Sequence, residues 1–498
     1  MNTEEAWNEV ARRANEQRDL QGLMAVAQWD QQVMLPPAGA AARGRQLAAI
    51  SGIRHERLTD PRLGALLEQL AEGTEDPVRD ASVRLFLKEH RQAVRTPSRL
   101  VRAFAEARAR AHATWMEARA ARDFTPFAPS LTELVGLIRE TVDARREPHH
   151  ADPYDVLLDE YDPGSTVAAL DPMFARLSAE LGAFLDTLRD RPHPPGFDGA
   201  WPVPAQRALN EAVVQALGFD LTRRGRMDHA EHPFTVGVAP DDVRLTTHLY
   251  PDALLSGLSG TIHETGHGLY EQGLPKDWYG LPVGAPASFG LHESQSRFWE
   301  NVIGRSLPFF RWLQGPLQEH LGGDIPSPEQ LYAAANRVER SLIRIFADEV
   351  TYNLHIVVRY QLERALLSGA LTVADLPDAW DDGYEAVLGV RADNPTDGVL
   401  QDVHWSAGLF AYFPSYTLGN LYAASILARL EEDLPDLWTR VEAGDFTPIL
   451  GWLRAHIHSK GHLVHAPAIL QDALGERDHV ADLMAYIRGR HGALYSVY

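Results

Sequence analysis

The sequence predicts a mainly α-helical fold carrying one small antiparallel β-sheet, and two observations carry that prediction. Helical periodicity recurs along the chain, as in PSRLVRAFAEARARAHATWMEARAARDF from Pro97 to Phe124, where Leu100, Phe104 and Trp115 are spaced by turns among Arg and Glu. β-rich alternation is confined to HPFTVGVAPDDVRLTTHLY, His232 to Tyr250, where two runs flank Ala239, Pro240 and Asp241 as a hairpin requires. With 498 residues the chain is long enough for a sizeable core.

The N-terminal MNTEEAWNEVARRANEQRDLQGL reads as a charged amphipathic helix, not as a basic segment followed by an apolar signal core. No uninterrupted apolar run of ~18 residues follows, so a cytoplasmic location and no membrane partner are expected. Pro and Gly concentrate at Met34 to Gly44, Asp159 to Thr166 and Arg191 to Pro204. These runs read as loops inside a single domain over 1–498, not as domain linkers. In the second run of the hairpin, Val243, Leu245, Thr247 and Leu249 alternate with Asp242, Arg244, Thr246 and His248, which puts a polar set on one face. Asp252 is then placed to cap a helix that Gly273 and Pro275 stop, with Leu254, Leu258, Ile262 and Leu269 as its core stripe.

Lys and Arg total 47 against 68 Asp and Glu, a formal charge of −21 spread along the chain, so nucleic acid is not an expected partner. Cysteine is absent, which excludes disulfides, thiolate metal sites and a cysteine nucleophile. Any metal must sit on His, Asp or Glu.

SGTIHETGHGLYEQG, Ser259 to Gly273, supplies such ligands. His263 and His267 are four residues apart and lie nearly one above the other on a helix, so each can turn a ring nitrogen to one ion. Glu264 sits ~100° around the helix, where it can hold a water without ligating the ion. Gly260, Ser259 and Ser256 precede His263, and a helix-interior glycine costs ~1 kcal/mol relative to alanine, which suggests a close approach by something. A catalytic zinc takes three protein ligands and keeps one open position. Glu293 in FGLHESQSRFWENV is the third candidate, 30 residues after His263, on a segment with Phe298, Trp299 and Val302 apolar and Ser296, Arg297 and Glu300 polar. His292 competes with it for that place. His458 and His462 repeat the spacing without the acid and read as packing or surface residues.

These motifs resemble those of the carboxypeptidase Taq family of zinc metallocarboxypeptidases over most of the chain. The family's H-P-F is His232 to Phe234, its D-x-R-x-T is Asp242, Arg244 and Thr246, and its H-E-x-x-H is His263, Glu264 and His267. Its H-E-S-Q-S-R is His292 to Arg297, its [IV]-R-x-x-A-D is Ile343, Arg344, Ala347 and Asp348, and its G-x-x-Q-D-x-H-W is Gly398, Gln401, Asp402, His404 and Trp405. The resemblance implies a large helical peptidase body cut by a deep substrate groove between two helical subdomains, with Zn2+ on its floor. It also implies stepwise removal of residues from peptide C-termini, and a homodimer.

Under that resemblance Zn2+ would be held by His263, His267 and Glu293, with Glu264 as general base. The oxyanion would be met by His404 and Tyr416, 12 residues apart, with Tyr412 as a second candidate. Arg344 would take the free carboxylate of the substrate, against the bland alternative of an i,i+4 pair with Asp348 on one helix. Arg244 and Gln401 would narrow the groove end or simply brace its wall. An exposed edge of the hairpin could pair with the peptide backbone and give broad specificity. The alternatives are a zinc oligopeptidase cutting internal bonds and a peptide-binding scaffold with a vestigial site. Co2+ or Mn2+ could substitute on such ligands.

Overall fold

A computed structural model of the chain describes residues 1–197 and 199–497. Asp198, inside the Arg191 to Pro204 run read as a loop, and Tyr498 lie outside the described residues. Helices dominate and the described strands form one three-stranded sheet. The chain divides into two compact units, the first joining 1–94, 195–335 and 422–477, the second joining 95–194, 336–421 and 478–498. One boundary falls at Pro194–Pro195, inside a Pro/Gly run that sequence alone reads as an ordinary loop.

In the first unit, helix α1 (Thr3–Val33) opens with a capping box. Asn2 Oδ1 accepts from the Glu5 N–H at 2.8 Å, and the Asn2 N–H donates to the Glu5 carboxylate at 3.1 Å. Its apolar stripe, Ala6, Trp7, Val10 and Ala14, is buried in one core cluster with Leu63, Leu67, Leu70 and Phe86. The loop expected over Met34 to Gly44 is shorter than that: a 3-10 turn at Pro37–Gly39 gives way to a helix at Ala40. Three alanines favour that helix, and Gly44 weakens it only by about 1 kcal/mol.

The expected hairpin forms from β2 (Thr235–Ala239) and β3 (Asp242–Thr247), antiparallel with Thr235 opposite Leu245 and Gly237 opposite Val243. The sheet is mixed, however, because β1 (Gly225–His229) pairs in parallel with β3 and makes β3 the central strand. GRMDH has no β-branched residue and no clean alternation, so it carries no strand signal. With β3 central, Val243 and Leu245 are buried, and so is Thr246 of the expected polar face. The Thr246 hydroxyl instead bonds the backbone of Phe234.

Helix α2 (Leu254–Gly273) lies against β3 and against α3 (Phe289–Arg297). Its core stripe of Leu254, Leu258, Ile262 and Leu269 is buried as expected, and it stops at Gly273. Asp252 does not cap it: the N-cap is Ala253, whose side chain has nothing to offer the free N–H groups. After Arg297 the chain continues as a π-helical segment, Phe298–Ile303, buried throughout.

In the second unit the segment read as Pro97 to Phe124 is a helix over Ser98–Ala121. Asp159 to Thr166 is a loop only from Asp162, because the short helix Asp155–Tyr161 occupies its start and Thr166 caps the next helix. Helix α4 (Tyr352–Ser368) is buried on nearly every face, Arg359 and Glu363 included. Helix α5 (Phe413–Asp433) begins in this unit.

Candidate active site

The site in the first unit depends on how closely α2 and α3 cross. A Cβ added at Gly266 would stand 2.5 Å from Gln295 O and 2.6 Å from Ser296 Cα, so backbone meets backbone there. That contact accounts for a glycine one turn past His263. Gly260 is different: its nearest neighbour is Pro233 Cγ at 3.9 Å, so nothing approaches closely at Gly260 itself, while Ser259 Oγ beside it donates to Glu300 Oε1 at 2.8 Å.

The crossing carries Glu293 to the two histidines. Glu293 Oε2 lies 3.9 Å from His263 Nε2 and 3.4 Å from His267 Nε2, and the three ligand atoms fall within 4.8 Å of one another. The second nitrogen of each ring is already committed. His263 Nδ1 donates to Glu300 Oε2 at 2.8 Å. His292 Nε2 donates to Glu271 Oε1 at 3.0 Å, which leaves His292 Nδ1 to accept from His267 Nδ1 at 2.5 Å. Both Nε2 atoms therefore keep a lone pair, and both are turned to the same carboxylate oxygen. Two imidazole nitrogens and one carboxylate oxygen, with their outer hydrogen bonds in place, fit a divalent cation.

Three sequence expectations change here. His292 does not compete with Glu293; it stands behind His267 and fixes its tautomer. Ser296 and Glu300 are not an outward polar face but are buried, with Glu300 bonded to His263, Ser259 Oγ, Arg297 and Arg305. Glu271 and Glu300 were missed. The available signal was position: Glu271 is two turns beyond His263 on α2, and Glu300 is two turns beyond Glu293.

Burial works against the Glu293 charge, yet the Arg297 guanidinium, whose Nε lies at 2.7 Å, and the two rings hold its carboxyl well below the usual range. Burial, helped by His292 and His263, lowers His267 to about 4. Glu264 is buried beside the triad, and Thr235 Oγ1 of β2 donates to its Oε2 at 2.7 Å. Burial pushes Glu264 up, with His263 and Thr235 opposing. Arg244, in the same unit, forks onto Asp242 at 2.8 Å through two nitrogens and lies 4.5 Å over the Trp29 ring.

The second unit assembles the remaining predicted residues. Arg344 lies in a 3-10 turn, Arg344–Phe346, so the helical i,i+4 pair with Asp348 does not exist. Asp348 instead accepts from the Val350 and Thr351 N–H groups at the start of α4. Arg344 Nε and Nη2 donate to Asp402 Oδ1 at 3.1 and 2.6 Å, and Nη1 reaches the Tyr352 hydroxyl at 3.1 Å. The buried Arg359 takes the other oxygen of Asp402 at 2.6 Å. Burial opposes that charge, but the two guanidiniums hold Asp402 far below the ordinary carboxylate range. Gln401 accepts from Arg344 N and Arg359 Nη2 and donates to Leu342 O and Asp397 O. An amide committed on both sides acts as a brace. His404 Nε2 is 3.2 Å from the Tyr416 hydroxyl, and the Tyr412 ring centroid is 5.7 Å from that of His404. Burial drives His404 down to about 4, so its imidazole is neutral at neutral pH.

Two other histidine groups carry no metal chemistry. His458 is buried in a 3-10 turn, with Nε2 bonded to Gln295 Oε1 at 2.9 Å, and burial lowers it to about 3. That is the packing role read from sequence. His149, His150 and Asp159 also cluster, but His150 Nδ1 accepts from the Glu147 N–H at 3.0 Å. The proton then sits on Nε2, which has no lone pair to give.

A His–His–Glu set of two half-buried rings and a buried carboxylate, carried on crossed helices with a held glutamate beside it, is the kind of centre a metallopeptidase uses. A family model described as carboxypeptidase Taq (M32) metallopeptidase matches residues 9–491. Thermostable carboxypeptidase 1 of Thermus thermophilus is 42% identical over 99% of this chain and 100% of its own. Carboxypeptidase 1 of Bacillus subtilis is 34% identical over 95% of each. The crystal structure of the M32 carboxypeptidase from Deinococcus radiodurans R1 superposes with a TM-score of 0.94 at 36% identity, covering 99% of both chains. The chain belongs to the carboxypeptidase Taq family, and it is a metallocarboxypeptidase, a peptide hydrolase.

Proposed function

We propose that the chain removes C-terminal residues from peptides with broad specificity, using Zn2+ held by His263, His267 and Glu293 and Glu264 as general base. The observation that carries this reading is the convergence of two lone-pair nitrogens on one carboxylate oxygen, with Glu264 buried at its side. When bound, the ion supplies Lewis acidity for the scissile carbonyl and acidifies water. Glu264, oriented by Thr235, takes the proton of the attacking water and delivers it to the leaving amine as the C–N bond breaks. His404, neutral and paired with Tyr416, gives a donor for the developing oxyanion, and Tyr412 supports the pair through ring contact. Arg344 offers its remaining N–H groups to the terminal carboxylate of the peptide, with Gln401 and Asp402 holding the guanidinium in place. Arg244, held by Asp242 and Trp29, belongs to the substrate-binding set.

Broad specificity follows from backbone recognition. Phe234 and Val236 face β3, so Thr235 and Gly237 present their backbone groups at the other edge of β2, where Arg18 reaches Gly237 O at 3.4 Å. A co-crystal in which the peptide lies away from that edge would remove this part. Co2+ or Mn2+ fit the same donors. A homodimer and a cytoplasmic location belong to the proposal, and sedimentation of the purified chain tests the first.

The test pairs wild type with Glu264→Gln. Metal content stays equal while cleavage of a free-acid peptide falls ~10³-fold or more. Equal activity in both would show that Glu264 is not the base. A blocked peptide should survive while its free-acid twin is shortened from the C-terminus, and a single internal cut would favour an oligopeptidase.

A further inference from the structure

Glu363 is wholly buried on α4 and belongs to none of the motifs above. Three donors converge on its carboxylate. Tyr154 Oη donates to Oε2 at 2.7 Å, the Ala411 N–H donates to the same oxygen at 2.9 Å, and Trp405 Nε1 donates to Oε1 at 2.8 Å. All three partners are themselves buried. Since every partner donates, only the ionised carboxylate satisfies all of them; a protonated one would bring a hydrogen with nowhere to go.

The two chain partners bracket one turn. Trp405 directly follows His404, and Ala411 directly precedes Tyr412, two residues before α5 begins at Phe413 and carries Tyr416. Within the turn, Leu409 N and Ala407 N return to His404 O. Ala411 is held at φ 62°, a left-handed conformation that costs a non-glycine residue about 1 kcal/mol or more. Such a conformation persists only where its surroundings over-determine it, and the Glu363 bond does so here. Behind the turn, the Phe104 ring lies against Gly408. Ala407, Gly408, Leu409 and Phe410 line a cavity of about 340 Å3 whose other wall is Leu100, Phe104 and Leu157.

We propose that Glu363 is a positioning residue: its carboxylate clamps both ends of the 405–411 turn, and so sets the His404–Tyr416 pair in its catalytic geometry. This rests on the reading of His404 and Tyr416 as oxyanion donors. A clamp that acts through this pair must change the rate of the chemical step more than substrate binding, and must lose its effect once the pair is removed.

The experiment is a double-mutant cycle on the metal-loaded full-length enzyme, with Glu363→Gln, His404→Ala and the combination, reading kcat, KM and metal content separately. Glu363→Gln keeps the volume and one acceptor but cannot serve three donors. The expected result is a ~10-fold or greater fall in kcat with KM and metal content within about twofold, and no further loss when Glu363→Gln is added to His404→Ala. Trp405→Phe, which removes a single N–H, should give a smaller fall with the same kcat signature, and it carries the test if Glu363→Gln does not fold. If His404→Ala lowers kcat while neither clamp variant does, or if the losses multiply, the clamp is wrong and the oxyanion reading stands. If His404→Ala leaves kcat unchanged, the reading itself fails and the clamp with it.

Discussion

Glu300 decides which nitrogen of His263 can face an ion. Its Oε2 at 2.8 Å requires a proton on Nδ1, so Nε2 is the free donor, and its other bonds to Ser259, Arg297 and Arg305 keep it from moving. Glu300→Gln removes the charge and lets the amide present an N–H to the ring, which would favour the wrong tautomer. Metal affinity, read by competition with a chromogenic chelator, is expected to weaken ~10–100-fold with the fold intact. An unchanged dissociation constant would remove the role. The pairing of His263 with His267 was legible in the sequence, because two histidines at i,i+4 around an acid have few other uses, and the fold brings Glu293 to them. Glu300, Glu271 and His292 were not, since a helix polar face reads the same whether it meets solvent or a second helix. For Arg344 the alternative of an i,i+4 pair with Asp348 assumed a helix, and only the folded chain shows a 3-10 turn with the guanidinium bonded to Asp402.

At the scale of elements, the crossing of α2 over α3 is what turns two separate motifs into one centre. Gly266→Ala puts a methyl group 2.5 Å from Gln295 O and 2.6 Å from Ser296 Cα, and both neighbours are backbone that cannot rotate aside. The helices must part by a few tenths of an ångström, at a cost of ~1–3 kcal/mol. Glu293, Gln295 and Ser296 share α3, so the Glu293 carboxylate moves with the contact. Expected together are a lower unfolding midpoint and weaker metal binding. Gly260→Ala, with its nearest neighbour at 3.9 Å, is the control and should leave both intact or raise the midpoint. A Gly266→Ala protein with unchanged midpoint and metal affinity would show that the crossing tolerates the methyl. The elements legible from sequence were those with a clean period: α1, Ser98–Ala121, α2 and the β2–β3 hairpin. β1 was invisible because its burial comes from a parallel partner distant in sequence and not from its own pattern. The α2 cap was misplaced because Asp252 lies two residues before the helix that actually forms.

Across the whole molecule, buried charge sets a pH window in which Glu363 and Asp402 act with opposite sign. Burial raises Glu363 from 4.5 to about 7, with Arg359 and the donors Tyr154, Ala411 and Trp405 only partly opposing; Tyr161 also lies near. The native state therefore takes up this proton before the unfolded chain does. Stability rises as pH falls from about 7 towards 4.5, and is lost again as pH climbs through 7. Asp402 is held far below its ordinary value by Arg344 and Arg359, so its contribution is present above pH ~4 and lost as pH falls below that. The unfolding midpoint should consequently peak in mildly acidic solution. In Glu363→Gln, which cannot titrate, the rise between pH 7 and 4.5 should vanish while the acid limb set by Asp402 stays. Thermal unfolding of both proteins across pH 3.5 to 8.5 measures this as a difference, so carboxylates common to both cancel. Parallel curves would mean that Glu363 titrates like an ordinary carboxylate and that burial does not oppose its ionisation. Divergent curves would mean that above about pH 7 the chain keeps a buried charge at the expense of stability, which is the pattern expected where a carboxylate serves the turn carrying His404 and not the core around it.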